Sequence, residues 1–270
     1  MNDEEKLDSI IDVSKLSCEE MVRALISGPP NNLENGKDYL LIDKNNTKIE
    51  LKAEEWNEYK YGIYLIGKNI EVTCATSKEG FGHLRIRCSH LLLANDTCVI
   101  HCNGLGFRSM KGPGHGKLGT GAGYGSQGAN KQGGKIYGDE TLLKEIHFGS
   151  GGGVPMVGTG GGSGGGIIEL VIAQHLVNNG IIQCNGLDGN DYPTGGGSGG
   201  GSGGSVLIKF VSTKNDKKHI LGQIQCLGGN QSTSWREGGL GRIAIYGYDF
   251  EAKDLEKIVP FPYHKSFIIN

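Results

Sequence analysis

The stretch Gly195-Gly-Gly-Ser-Gly-Gly-Gly-Ser-Gly-Gly-Ser205 runs directly into the apolar segment Val206-Leu-Ile-Lys-Phe210, and the tract 158–166 runs in the same way into Ile167. A flexible Gly/Ser linker has no reason to end abruptly at a strand. A packed glycine segment does, because backbones without Cβ atoms can approach closely. We therefore expect both tracts to be packed, with hydrogen bonds between backbones offsetting the entropy that glycine loses on folding. For residues 112–134 the sequence favours neither a packed nor a flexible segment.

The glycine content excludes several fold classes. The chain has 48 Gly and 7 Pro among 270 residues, against a usual glycine share of roughly 7%. The glycines follow no three-residue period, which excludes collagen, and each interior glycine costs a helix about 1 kcal/mol, which argues against a helix bundle. Hydrophobic residues make up 37% and the net charge is −2, so full disorder is also unexpected.

A repeat organises the second half of the chain. Residues 84–105, 167–187 and 206–229 each contain a strand, a short corner, a second strand, a cysteine and then Asn or Gly, and residues 243–246 begin a truncated fourth copy. The strands are kept while the glycine-rich insertions between them vary in length. Units of this kind bury their apolar faces by stacking on their neighbours. The following cysteines occupy equivalent positions and are expected to stack inside as small apolar side chains: Cys102, Cys184 and Cys226.

These patterns predict an all-β fold, a right-handed parallel β-helix (solenoid) with long glycine-rich loops and a short N-terminal helical cap. The cap occupies residues 1–30, where Ser17 and Glu20 form a capping box before an amphipathic segment that Gly28 and two prolines end. The β-helix domain occupies 31–270. Its glycine-rich insertions lie at about 106–166 and 188–205.

The glycine repeats resemble those of known proteins. The successions Gly-Ile-Ile-Gln-Cys-Asn-Gly-Leu187 and Gly-Gly-Leu-Gly-Arg-Ile-Ala-Ile-Tyr246, with the glycine tracts between them, look like the repeats of large parallel β-helix proteins of the pectin-lyase-like and adhesin-like kind. That resemblance implies a rod for binding or structure and no shared catalytic residue. A weaker resemblance is to the glycine-rich recognition domains of phage tail-fibre adhesins, which pack polyglycine helices and bind cell-surface receptors with their loops.

Charge and cysteine content bear on partners and compartment. With Lys+Arg 27 against Asp+Glu 29, there is no global bias toward nucleic acid. No apolar run approaches the ~18 residues of a membrane span. The N-terminus is acidic without an apolar signal core, and the seven Cys include no CxxC pair. As the chain stands we expect a cytoplasmic protein with reduced thiols, or a surface or extracellular one if the chain is a fragment.

The candidate contact residues lie in the glycine-rich loops. Between Asp96 and Asp139 there is no acidic residue but five basic ones, so this stretch either attracts anions or is a solvated loop. Aromatic side chains on loops can stack on sugar rings or anchor a protein contact. The candidate ligand-binding residues are Arg108, Lys111, Tyr124, Tyr192 and Trp235. We expect no cofactor, and we interpret Asp188-Gly-Asn190-Asp191 as a turn rather than a metal site.

The first functional hypothesis is a non-catalytic binding or structural module, adhesin-like or scaffold-like, that presents its glycine-rich loops to a glycan or a protein. The second is a carbohydrate-active enzyme of the parallel β-helix type, in which Glu169, Lys209 and Arg242 would align on one face. The same three residues would also be aligned on one face if they formed only a solvent-exposed row of mixed charges without a catalytic role. The third is a self-assembling structural protein, because stacked coils with exposed ends can polymerise.

Overall fold

The computed structural model describes residues 12–28, 33–129, 132–156, 160–190, 197–212, 218–230 and 235–267. Within these ranges it contains two helices, α1 (Cys18–Ser27) and α2 (Ala252–Leu255), and fourteen short strands. The strands are β1 (Leu40–Ile42), β2 (Lys48–Leu51), β3 (Trp56–Tyr59), β4 (Ile63–Leu65), β5 (Glu71–Cys74), β6 (His83–Leu93), β7 (Val99–His101), β8 (Ile167–Asn178), β9 (Ile181–Gln183), β10 (Ser205–Phe210), β11 (Gln223–Gln225), β12 (Arg242–Tyr246), β13 (Ile258–Val259) and β14 (Tyr263–Lys265).

The strands form two separate parallel sheets. The eight-stranded sheet has the order β1-β4-β6-β8-β10-β12-β14, with β3 beside β4 on the long strand β6, and the six-stranded sheet has the order β13-β11-β9-β7-β5-β2. The chain crosses repeatedly from one sheet to the other, so neighbouring strands of a sheet are parallel.

This architecture corrects the predicted fold class. The right-handed parallel β-helix is wrong, because the strands of the described ranges belong to two open parallel sheets and do not close into coils. The physical reason lies in the glycine-rich segments, which would have supplied the remaining side of a coil. Glycine has no side chain with which to form the apolar face of a strand. The backbones of the glycine-rich segments hydrogen-bond to one another in a pattern that differs from a β-ladder.

The repeat predicted from sequence corresponds to neighbouring strands. Strands β6, β8, β10 and β12 pair in register, which aligns their inward side chains in rows. One such row contains Ile86, Leu170, Ile208 and Ile245, all buried. Burying one such side chain fully contributes about 1.5–3 kcal/mol. These rows form the main core, which the two sheets share.

Helix α1 packs against strands β6 and β8 of the eight-stranded sheet, and it begins with the capping box that the sequence predicts. The Ser17 hydroxyl accepts from the Glu20 N–H and the Glu20 carboxylate accepts from the Ser17 N–H. The helix buries Met21 and Leu25 in a cluster with tyrosines of the sheet. The edge of β1 is sealed nearby, because the Asn35 side chain donates to the carbonyl of Leu41 and accepts from its N–H, both at 2.9 Å.

The cysteines form a file inside the core. Cys102, Cys184 and Cys226 are fully buried, which confirms the predicted cysteine row, and Cys74 extends it with its Sγ 3.6 Å from that of Cys102. Burial raises the pKa of the Cys184 thiol. All four side chains are buried and act as small apolar groups in the core.

The remaining glycine-rich segments form one layer, which we call the glycine layer. It comprises residues 106–129, 149–153, 160–166, 186–189, 197–204, 228–229 and 238–241, without helix or strand pattern. Hydrogen bonds join these segments to each other. Gly199 bonds to residues 153 and 162. Gly200 bonds to residues 236 and 122, and Gly201 bonds to residues 187 and 229. Ser202 then bonds to residues 150 and 165, which belong to the same two segments as the partners of Gly199.

The direction of bonding in the tract 199–202 therefore repeats every three residues, which is the period of a polyproline II-type helix. A β-ladder repeats every two. Three consecutive residues of the tract thus bond to three different pairs of neighbouring segments, in three directions rather than two. The expected packing of the tracts is confirmed for 160–166 and 197–205, and residues 157–159 and 191–196 lie outside the described ranges.

Glycine is required where these segments cross. A Cβ on Gly199 would overlap the carbonyl of Thr120, and one on Gly201 would overlap that of Ser163. In both cases the overlapping atoms belong to the backbone. Unlike a side chain, the backbone cannot change rotamer to make room for a Cβ. Close approach, rather than an unusual backbone angle, explains the glycine tract here.

Candidate binding surfaces

The structure separates the five predicted contact residues. Arg108 and Lys111 are exposed, and Trp235 is 47% exposed with the Arg236 guanidinium 5.0 Å from its ring centroid. Tyr192 lies outside the described residues.

Tyr124 requires a correction, because its side chain is fully buried and cannot contact a partner. Its hydroxyl is 2.8 Å from Ser205 Oγ, and its ring lies 4.7 Å from that of Tyr137. Burial raises the pKa of Tyr124 to about 12. Through the hydrogen bond between its hydroxyl and Ser205, Tyr124 links the glycine layer to strand β10.

A first candidate surface consists of three exposed apolar side chains that lie on segments of the glycine layer or next to them. Leu118 is 71% exposed, Met156 92% and Trp235 47%, and we call these three residues the tip surface. The segments that carry them bond to common neighbours. Gly153 donates to Thr120, Gly199 donates to Gly153, and Gly200 donates to Arg236, all at 2.8–2.9 Å. The sequence analysis missed Leu118 and Met156, because isolated apolar residues in a glycine-rich loop carry no pattern.

A second surface is the outer face of the six-stranded sheet. It holds a shallow cavity of about 460 Å³ lined by Asn69, Ile70, Glu71, Thr97, Val99, His101, Asn103 and Gln183. Glu71 accepts from Lys48 at 2.7 Å and from His101 Nε2 at 2.8 Å. These two hydrogen bonds, that of Lys48 first, lower the pKa of Glu71.

Amide side chains continue this face along the sheet. Asn103 Oδ1 accepts from the N–H of Asn185 at 2.7 Å, and Asn185 Oδ1 accepts from the N–H of Leu227 at 2.8 Å. The outer face is therefore a polar strip whose groups recur at the strand spacing of about 4.8 Å.

A third cluster lies on the outer face of the eight-stranded sheet. Glu169 Oε1 accepts from His83 Nε2 at 2.7 Å and lies 3.0 Å from Arg85 Nε. Burial raises the pKa of Glu169, but the hydrogen bond from His83 and the charges of His83, Arg85 and Lys209 outweigh it, so the net pKa is lowered. Glu169 is thus a carboxylate held by cations.

The residues of the enzyme hypothesis are only partly brought together. Lys209 is close enough to Glu169 to act on its pKa, whereas Arg242 donates to the carbonyl of Tyr137 at 2.9 Å. Glu169 is already engaged by protein cations, as in a structural ion pair. The enzyme hypothesis also rested on a β-helix fold that the structure does not have.

In the described part of the chain, no three side chains of His, Cys, Asp or Glu are grouped so that they could hold a metal ion. Asp188 accepts from the N–H of Asn230, while Asp191 lies outside the described ranges. In the same part of the chain, neither helix has the length and apolarity to cross a membrane.

Comparison with known proteins gives no relative. No family model, no curated protein and no solved structure matches the chain. Function must therefore be argued from these surfaces.

Proposed function

We propose that the chain is a non-catalytic binding module whose glycine layer presents the tip surface to a protein partner. The observation that carries this proposal is the concentration of exposed apolar side chains on segments whose backbones are bonded to each other. Groups of exposed large apolar side chains are typical of interaction sites. Trp and Arg are also the residue types that most often dominate binding energy at interfaces.

The backbone of the layer supports the same function. Its segments are fixed by hydrogen bonds on several sides, so little entropy remains to be lost when the tips are bound. Lys111, Lys117 and Arg108 lie in the adjacent stretch, which has no acidic residue. A partner with an acidic surface around an apolar contact would complement this arrangement.

The test is a protein microarray probed with three forms of the chain. The tip variant carries Leu118→Ser, Met156→Ser and Trp235→Ala. The matched control carries Ile26→Ser, Phe261→Ser and Phe267→Ser, three exposed apolar residues elsewhere. We expect the wild type and the control to bind the same proteins, and the tip variant to bind them at least about tenfold more weakly, since truncated hot spots typically cost about 2 kcal/mol or more. Unchanged binding by the tip variant would refute the proposal.

The polar strip on the six-stranded sheet favours a second candidate, the binding of an extended neutral glycan. Its amide, imidazole and carboxylate groups suit sugar hydroxyls, and they recur along the sheet. A glycan array would distinguish the two candidates. Binding that is lost on Gln183→Ala and kept in the tip variant supports the glycan, whereas an array without any bound glycan eliminates this candidate.

A further inference from the structure

A cavity of about 400 Å³ lies within the basic stretch of the chain and is separate from both surfaces above. Its lining residues are Pro113, His115, Lys117, Gln132, Gly133, Gly134 and Lys135. Two short segments, 113–117 and 132–135, form its walls.

The walls are fixed by backbone hydrogen bonds. Gly134 donates to the carbonyl of Gly121 at 2.9 Å, Gly133 donates to that of Gly128 at 3.0 Å, and Gly123 donates to that of Gly114 at 2.8 Å. The His115 ring is oriented by its Nδ1, which donates to the carbonyl of Gly112 at 3.0 Å. The cavity is therefore shaped by the glycine layer.

The charge of the cavity has one sign. Lys117 and Lys135 line it, and no carboxylate does. No salt bridge within the described ranges involves either lysine. The nearest acidic residues along the chain are Asp96 and Asp139. Two uncompensated ammonium groups at one concave site attract and concentrate anions.

We propose that this cavity binds a tetrahedral oxyanion group, a phosphate or sulfate, between Lys117 and Lys135. The two ammonium groups supply the charge, and the Gln132 amide NH₂ group supplies a further donor. Such an anion could be free or could be an ester on a larger molecule. Lys117 is also one of the basic residues beside the tip surface, but the substitutions in the tip variant leave Lys117 and Lys135 in place, so the two proposals are tested by different variants.

Titration calorimetry with inorganic phosphate and inorganic sulfate at low ionic strength tests the site, and phenyl phosphate and phenyl sulfate test whether an ester is accepted. The site variant carries Lys117→Gln and Lys135→Gln. The control carries Lys111→Gln and Lys144→Gln, two exposed lysines that do not line the cavity. Both variants lose the same net charge, so they separate a local site from a general charge effect.

We expect saturable binding of at least one anion, weakened about tenfold or more in the site variant and less than about twofold in the control, because each charge-assisted hydrogen bond contributes about 1.5–3 kcal/mol. Preference between the phosphate and sulfate pairs identifies the group. Binding without saturation, or equal loss in both variants, would overturn the site and leave a solvated basic loop.

Discussion

The core of the two sheets and the glycine layer are both buried interiors, but the first is filled by side chains and the second by backbone. In the sheets, rows of side chains such as Ile86, Leu170, Ile208 and Ile245 fill the space between backbones. In the glycine layer, the backbones themselves fill it, and carbonyl groups stand where side chains would be. The difference teaches that the same chain can tolerate a change of one carbon atom in one region and not in the other, because side chains can repack and crossing backbones cannot.

The largest effect is expected from Gly199→Ala, which adds one carbon atom to the glycine layer. Its Cβ would overlap the carbonyl of Thr120, so segments bonded on three sides would have to separate. We expect the free energy of unfolding, measured by urea denaturation, to fall by about 4 kcal/mol or more, because crossing backbones leave no room for the overpacked carbon atom.

Two controls isolate the cause. Ile208→Val removes one carbon atom from the sheet core and should cost only about 1 kcal/mol. Gly36→Ala has no atom within 4 Å of the new Cβ but a φ of +90°, so it measures backbone strain alone, about 1–2 kcal/mol. If Gly199→Ala costs no more than these two, the glycine layer is not a close-packed interior.

An intermediate effect is expected from pH, and it acts on the sheet region. His219 is buried beside Phe210, with ring centroids 4.2 Å apart, and its Nδ1 accepts from the N–H of Leu176. Burial, with a smaller contribution from His175, lowers the pKa of His219 to about 3. The pKa of His219 in the unfolded chain is near 6.5. Between about pH 6.5 and pH 3, His219 therefore binds a proton in the unfolded chain and remains neutral in the folded chain.

Stability contributed by this neutral histidine is therefore present above about pH 6.5 and is lost as the pH falls toward 3. Between pH 7.5 and pH 5 the loss amounts to about 2 kcal/mol. Urea unfolding across this range should show that slope in the wild type and in the partly exposed control His147→Gln, and a flatter one in His219→Gln. An unchanged slope in His219→Gln would contradict the assignment.

The smallest effect is expected from Ser202→Ala, which removes a hydroxyl from the glycine layer without adding atoms. Ser202 Oγ accepts from the N–H of Ser150 at 2.8 Å, and both residues are fully buried. Leaving that N–H without a partner should cost about 1–2 kcal/mol. Hydrogen exchange of the Ser150 amide gives a local readout. If Ser202→Ala lowered the free energy of unfolding by more than Gly199→Ala does, side chains rather than backbones would be what stabilises the layer.

Several features could be predicted from the sequence because their cause is local. The capping box at Ser17 and Glu20 marks helix α1, and the abrupt junction of Gly166 with Ile167 marks a packed tract. The cysteine row follows from the repeat.

Other features depend on contacts far apart in the chain. Nothing near Tyr124 indicates that Ser205 will lie against its hydroxyl, so an aromatic residue in a glycine-rich loop was mistaken for a surface contact. The closure of coils was predicted wrongly for a similar reason, since it depends on where the glycine segments run after each strand. Lys117 and Lys135 could be noticed as basic residues, but the cavity between them depends on backbone bonds to residues 121 and 128.

The file of cysteines provides the molecule with internal reporters of local opening. Cys74, Cys102, Cys184 and Cys226 belong to four successive strands of the six-stranded sheet or directly follow them, and all are buried. A thiol-specific alkylating reagent can reach each of them only when its own strand separates from the core. Because the chain has seven free cysteines and every modification adds the same mass, the masses after brief labelling count the thiols that have become accessible, and peptide mapping shows which of these four strands have opened and in what order. The native chain, without any added label, can thus record whether the sheet comes apart from one end or all at once.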